Sequence, residues 1–186
     1  MDAIETLMAE HRQIEGAIDA LLAFAEATRR GASEDRAELG RFVGFIREFA
    51  DARHHGKEED ILFVAMVAAG FPRDGGPIAV MMMDHEAGRA QVGIMAALAG
   101  EAAPWNPGDL AAAVSAARGY AELLRGHIRK EDQILYPMAR QRLHEEALAG
   151  VDRDCAAFEV RQVAAGADSL KDLGRDLVAR HASCAT

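Results

Sequence analysis

Two stretches of this chain carry the same arrangement of metal-binding side chains. His54-His55-Gly56-Lys57-Glu58-Glu59-Asp60-Ile61-Leu62-Phe63 aligns without a gap on His127-Ile128-Arg129-Lys130-Glu131-Asp132-Gln133-Ile134-Leu135-Tyr136. Five of the ten positions are identical, and the pairs Glu59/Asp132 and Phe63/Tyr136 are similar. On a helix, a His and a Glu four residues apart lie one turn apart on one face. The Ile and Leu that follow return to nearly that face, so each His–Glu pair points inward with the apolar stripe. Burying an imidazole with a carboxylate is costly unless something compensates them, and a metal ion does so directly. His11, in period with Leu7, Ile14 and Ile18, and His85, after Met81, Met82 and Met83, add one inward histidine to each of two further helices. Imidazole and carboxylate in a helical core suit iron or manganese better than soft-ligand metals. A lone HxxxE is an ordinary surface pair and a lone core histidine an ordinary buried residue; the repetition is what points to a metal. His144 and His181 lack a comparable partner and are read as structural, and the three methionines as core packing.

The elements that must position these residues are legible as helices. Alanine accounts for 39 of 186 residues and aromatics for 5%, a composition that favours helix over strand. Asp2 with Glu5 forms a capping-box pattern for a helix to about Arg30. Ser33 is the expected cap of a second helix reaching about Ala69. GFPRDGGP, residues 70–77, breaks the chain before a third helix from about Ile78 to Leu98. Asn106-Pro107 starts a fourth, running to about Leu143, which Pro137 is expected to kink or restart. Four long helices with short connections imply an all-α, up-down-up-down four-helix bundle over residues 1–143. Residues 144–186 form a helical extension of one or two helices, with an apolar stripe of Val151, Phe158, Val163, Leu170, Leu173 and Leu177.

Charge and composition exclude other classes. A net charge of −9, from 21 basic and 30 acidic residues, argues against nucleic acid, which needs a concentrated basic face. The longest nearly apolar stretch, 61–71, is about half of the ~20 residues a membrane span needs. The acidic start MDAIETLMAEH is unlike a signal peptide. Two cysteines, Cys155 and Cys184, fit a reducing cytoplasm rather than a disulfide framework.

At the histidines and glutamates the sequence resembles the hemerythrin-like family, bacterial cation-binding domains with HHE-type motifs, over about residues 1–142. The pieces that match are His11 in AEHRQIE, His54 and Glu58 in HHGKEEDILF, His85 in DHEAGR, and His127 and Glu131 in HIRKEDQILYP. The resemblance implies a four-helix bundle holding two iron ions, with histidines as terminal ligands, two bridging carboxylates and an oxo or hydroxo bridge. One departure stands out. Oxygen-carrying members have HxxxH on the third helix, whereas here Met81 takes the earlier position and only His85 remains. Four histidines, two bridging glutamates and a bridging oxygen leave two positions on a pair of six-coordinate irons for water or substrate. A fifth histidine would leave one, as in a reversible oxygen carrier. His55 or Glu15 could supply that ligand, although a hydrogen-bonding role for His55, paired with Glu59, is the reading preferred here. Asp132 is an alternative bridge to Glu131; alignment with Glu58 favours Glu131.

The function expected on this basis is that of a cytoplasmic, non-heme di-iron protein, monomeric or homodimeric, reacting with dioxygen, hydrogen peroxide or nitric oxide. Catalase- or peroxidase-like decomposition of peroxide is the leading chemistry. The alternatives are a module that senses or stores oxygen or iron without turnover, repair of nitrosatively damaged iron-sulfur clusters, and a metal-free helical interaction protein. Repair ranks lower, because the repair proteins usually carry an N-terminal cysteine-bearing segment that this sequence does not show.

Overall fold

Asp2 starts the first helix, α1 (Ala3–Arg29), through the expected capping box. Its carboxylate accepts from the Glu5 amide at 2.8 Å, and the Glu5 carboxylate accepts from the Asp2 amide at 3.1 Å. The computed structural model describes residues 1–31, 35–102, 104–164 and 168–182, with side chains of 163, 164 and 168 left aside. Ser33, Cys184 and the side chain of Val163 therefore lie outside the described residues. The second helix, α2 (36–68), is capped by Asp35, whose carboxylate accepts from the amides of Ala37 and Glu38. A third, α3 (Gly76–Ala99), begins earlier than its apolar pattern indicates. Gly76 adopts φ +64°, which a side chain would oppose, and Pro77 occupies the first turn. The fourth, α4 (107–142), is capped by Asn106 as its sequence requires. Two further helices follow, α5 (Glu145–Ala164) and α6 (Asp168–His181). No strand occurs among the described residues, and no helix there is long and apolar enough to cross a membrane.

Helices α2 and α4 are not uniform. Each contains a wider π-helical turn that starts at its ligand-type glutamate, at Glu58–Leu62 and at Glu131–Leu135. Pro137 is not the cause of the widening, because the first copy has Val64 at the corresponding position and widens equally. The repeated motif, rather than the proline, thus accompanies the turn. Pro137 lies in the first turn where α-helical bonding resumes at Tyr136, so the expected restart takes the form of a π turn followed by α-helix. A longer π segment, Ile46–His55, leads into the histidine pair of α2. Such turns recur at functional sites, where they re-aim side chains.

Packing divides the interior in two. One apolar cluster gathers Ile14, Leu21, Phe24, Phe42, Phe49, Met95 and Ile128; another gathers Ile4, Leu7, Leu62, Met66, Ile78, Met81, Leu135 and Tyr136. His11, His54, Glu58, His85 and Glu131 fall between them in sequence, and His127 sits at the edge of the first cluster beside Ile128. Helix α1 packs on α4, α4 on α3, and α3 on α2, while α5 and α6 pack on α1 and α2 from outside. His181 on α6 shows its structural role: its Nε2 lies 2.9 Å from Glu38 of α2, and its ring meets Phe24 and Phe42.

The closest fit of this outer layer is at Gly174, where an added Cβ would sit 2.6 Å from Cε2 of Phe45. Phe45 is itself buried and stacked on Phe49, so it cannot swing aside. Gly174→Ala is expected to destabilise the protein by about 1–3 kcal/mol through overpacking, read as a lower urea midpoint. An unchanged midpoint would mean that α6 is not tightly docked.

Candidate metal centre

The four long helices bring seven wholly buried ligand-type residues to one place. His11, His54, Glu58 and Glu131 form one group, and His55, Glu58, His85 and His127 a second; within each, one ligand atom per residue lies within 4.8 Å of the others. Each glutamate touches a histidine of both groups. Glu131 Oε2 lies 3.2 Å from His11 Nε2 and 3.1 Å from His127 Nε2. Glu58 Oε2 lies 3.7 Å from His54 Nε2 and 3.5 Å from His85 Nε2. The six residues singled out by spacing are thus brought together, and His55 joins them.

Every histidine of the cluster is held from behind by a carboxylate at Nδ1. Asp132 serves His11 at 2.7 Å, Glu10 serves His54 at 2.9 Å, Asp51 serves His55 at 3.2 Å, Glu59 serves His85 at 2.6 Å, and Asp84 serves His127 at 3.3 Å. A proton fixed on Nδ1 leaves Nε2 with its lone pair directed inward, the arrangement that orients metal-binding imidazoles. The expected His55–Glu59 pair does not form: Asp51 takes His55, while Glu59 goes to His85 and Arg89. Asp132 likewise supports His11 and Arg12 and stands in neither ligand group. Glu15 is half-buried, pairs with Arg12 at 2.7 Å and is outside both groups.

The lysine common to both copies of the repeat has a physical reason. Lys57 donates to Glu10, which holds His54; Lys130 donates to Asp84, which holds His127. The supporting carboxylates each precede a ligand-type histidine, as Glu10-His11 and Asp84-His85, so α1 with α2 and α3 with α4 are two copies of one device. The copies differ in their surroundings. Lys57 is 1% exposed and also donates to Glu159 of α5 at 2.5 Å, beside Arg53, whereas Lys130 is 40% exposed. Tyr136 replaces the first copy's Phe63; its hydroxyl donates to Glu58 Oε1 at 2.6 Å and its ring stacks on His11.

What the protein leaves unmatched is as informative. His54 Nε2, Glu58 Oε2 and both carboxylate oxygens of Glu131 are buried without a hydrogen-bond partner among the described residues. Orphaned buried acceptors are costly, and all four belong to the ligand groups. His85 and His127 bring their Nε2 atoms to 3.1 Å, a contact that needs a shared proton unless a cation takes both lone pairs. The residues present therefore fit a bound cation.

Electrostatics agree. Burial, then repulsion by Glu131, pushes the Glu58 carboxyl well above its usual range. Glu131 goes the other way: burial would raise it, but His127 and His11 more than offset that and hold it well below. Burial pulls His54 down to about 4 and His55 to about 3, against their hydrogen bonds to Glu10 and Asp51. Glu10 is held at about 2, because His54 and Lys57 outweigh its burial. In the metal-free protein the lowered groups make acid destabilising, while the raised Glu58 carboxyl works the other way, its cost present at neutral pH and relieved by protonation. Unfolded histidines protonate near 6.5, so stability falls below that pH until His54 and His55 protonate in the fold. Unfolded carboxylates protonate near 4.5, so Glu10 adds a further loss as pH falls through 4.5 toward 2, and Glu131, also held below its ordinary range, adds to the loss below 4.5. Each group contributes about 1.4 kcal/mol per pH unit within its window. Metal-free protein is expected to unfold steeply between pH 4.5 and about 2, followed by circular dichroism; a chain still folded at pH 2 would contradict these assignments.

A helical protein with a buried histidine–carboxylate cluster suited to a cation is the class that this fold and site define. The sequence profile of the hemerythrin HHE cation-binding domain matches residues 2–139, and the chain belongs to that family. Comparisons with curated proteins and with solved structures find no match. Residues 144–182, including Glu159, lie beyond the matched segment.

Proposed function

We propose that the cluster holds two iron ions, one by His11, His54, Glu58 and Glu131 and one by His55, Glu58, His85 and His127, with both glutamates reaching across. The observation that carries this reading is the set of five histidines, each fixed at Nδ1 by a carboxylate and turned with Nε2 toward the same two orphaned glutamates. In this reading residues 1–143 form an up-down-up-down bundle and 144–186 a helical extension, in a cytoplasmic protein.

When bound, an iron pair supplies redox chemistry toward dioxygen, hydrogen peroxide or nitric oxide. The chain's own residues supply the setting. The carboxylates behind the imidazoles raise their basicity and fix their tautomer. The Tyr136 hydroxyl donates to Glu58 and fixes its carboxylate plane. The two apolar clusters flank the layer of ligand-type residues on either side. Peroxide decomposition is the first reading of the reaction; the place of His55, which brings the histidines to five, favours reversible binding without turnover as the second.

The test is the optical spectrum of iron-loaded protein prepared without oxygen and then exposed separately to oxygen, nitric oxide and peroxide. Sustained peroxide loss supports turnover. Spectral change that reverses on removing oxygen, without peroxide loss, supports binding alone. No response to any of the three overturns both.

A further inference from the structure

The two copies of the histidine device serve as controls for one another, and they differ most behind His54. Lys57 pairs with Lys130, and extending the alignment back by one residue pairs Arg53 with Gly126. In the second copy Asp84 therefore faces one cation, Lys130, whose side chain is half-exposed and shares its charge with solvent. In the first copy two buried cations stand beside one supporting carboxylate. Lys57 donates to Glu10 Oε1, and Arg53 Nε lies 4.0 Å from the same oxygen. Helix α5 lies over them, with Cζ of Phe158 3.2 Å from where a Cβ on Gly56 would stand.

The second carboxylate that these cations need comes from α5, beyond the segment matched by the family profile. Glu159 Oε1 accepts from Lys57 at 2.5 Å and from Arg53 Nε at 3.2 Å, and Oε2 accepts from Arg53 Nη2. Glu10 can then divide its own oxygens, Oε1 to Lys57 and Oε2 to His54 Nδ1 at 2.9 Å. A buried ion without a counter-charge is costly, so without Glu159 both cations would fall on Glu10 and draw it off the imidazole. A separate observation points the same way. Nη1 of Arg53 is buried without a hydrogen-bond partner among the described residues, which leaves this arginine a donor free to turn on Glu10.

We propose that Glu159 is a positioning residue of the metal centre. By engaging Arg53 and sharing Lys57 it leaves Glu10 to hold His54, so the helical extension sets how firmly the ion at His11, His54, Glu58 and Glu131 is kept. The ion at His55, His85 and His127 is independent of it. The carboxylates behind those three histidines, Asp51, Glu59 and Asp84, are matched by Arg89 and Lys130 from the four long helices themselves. The two ions are thus made unequal by a device that α5 supplies to one of them. This inference rests on the proposed iron centre.

The test is the release of iron from the loaded, reduced protein to a colour-forming ferrous chelator, with iron content measured on every sample at the start. Glu159→Gln keeps the shape and loses the charge. One iron is expected to leave about tenfold faster than in wild type, the low end of the loss that follows disturbance of a carboxylate behind a metal-binding imidazole, and the other at the wild-type rate. Glu159→Asp keeps the charge but draws it back from Lys57; it folds if the amide variant does not, and is expected to speed the same iron by less. Phe158→Ala loosens the packing of α5 on Gly56 without touching a charge, and is expected to leave the ratio of the two rates unchanged. A Glu159 that merely balances buried charge would lower Tm in its variants and leave both release rates alone. Wild-type rates in both Glu159 variants, equal acceleration of both irons, or the same selective loss in Phe158→Ala overturns the proposal and leaves the iron centre standing. A wild-type protein that binds no iron overturns both.

Discussion

Glu58→Gln is expected to lose bound metal and yet make the metal-free protein more stable than metal-free wild type. Glu58 and Glu131 are both fully buried, and burial with mutual repulsion raises the Glu58 carboxyl far above its ordinary range. Without a cation, the Tyr136 hydroxyl donates to Glu58 Oε1, while Oε2 has no hydrogen-bond partner among the described residues. The amide keeps an acceptor for Tyr136, removes the cost of holding a carboxyl beside Glu131, charged or forced to take up a proton, and places an NH2 donor near the unmatched oxygens of Glu131. Replacing an uncompensated buried charge by a neutral group of the same shape stabilises by about 1–3 kcal/mol, or about 2–10 °C in Tm for a domain of this size. With metal present the order reverses, since the variant lacks the carboxylate common to both ligand groups. Calorimetry of chelator-treated samples, alongside metal analysis, checks both halves. A metal-free variant that melts below wild type would show that Glu58 is held by the protein rather than for a cation.

Lys57→Ala is expected to be among the most damaging single changes, and Lys130→Ala nearly silent in stability. The two lysines occupy the same position of the repeat and hold equivalent carboxylates. Lys57, however, is wholly buried between Glu10 and Glu159, and truncating one partner of a buried charge cluster costs about 3–5 kcal/mol. Lys130 is 40% exposed, and exposed pairs contribute about 0–1 kcal/mol. Chemical denaturation of the two variants measures the contrast. Both lysines also steady a carboxylate behind a histidine, so both variants should bind metal about 10- to 100-fold more weakly. Equal stability losses would mean that the Glu159–Lys57–Glu10 chain, which ties α5 to His54, is not a buried ionic network.

Helix number, the capping of α1 by Asp2 and of α4 by Asn106, and the convergence of His11, His54, Glu58, His85, His127 and Glu131 were legible because each rests on local period or spacing. What lay behind the histidines was not. Glu10, Asp51 and Asp84 look like surface carboxylates in a linear reading, and which imidazole each serves depends on how four helices register against one another. The identity of Lys57 with Lys130 was the available clue, since neither lysine fits a ligand role. His55 is read from sequence as a hydrogen-bonding residue paired with Glu59; adjacent residues on an ideal helix face about 100° apart, and the π segment ending at His55 alters that geometry. Glu159 was invisible for another reason, as the stripe that docks α5 is defined by its apolar residues.

The iron content of the purified protein, loaded under reducing conditions and freed of loosely bound metal, tests the central claim most directly. The prediction is about two iron ions per chain in wild type, with a clear loss in His85→Ala. One ion or none in wild type, or an undiminished content in His85→Ala, would contradict it.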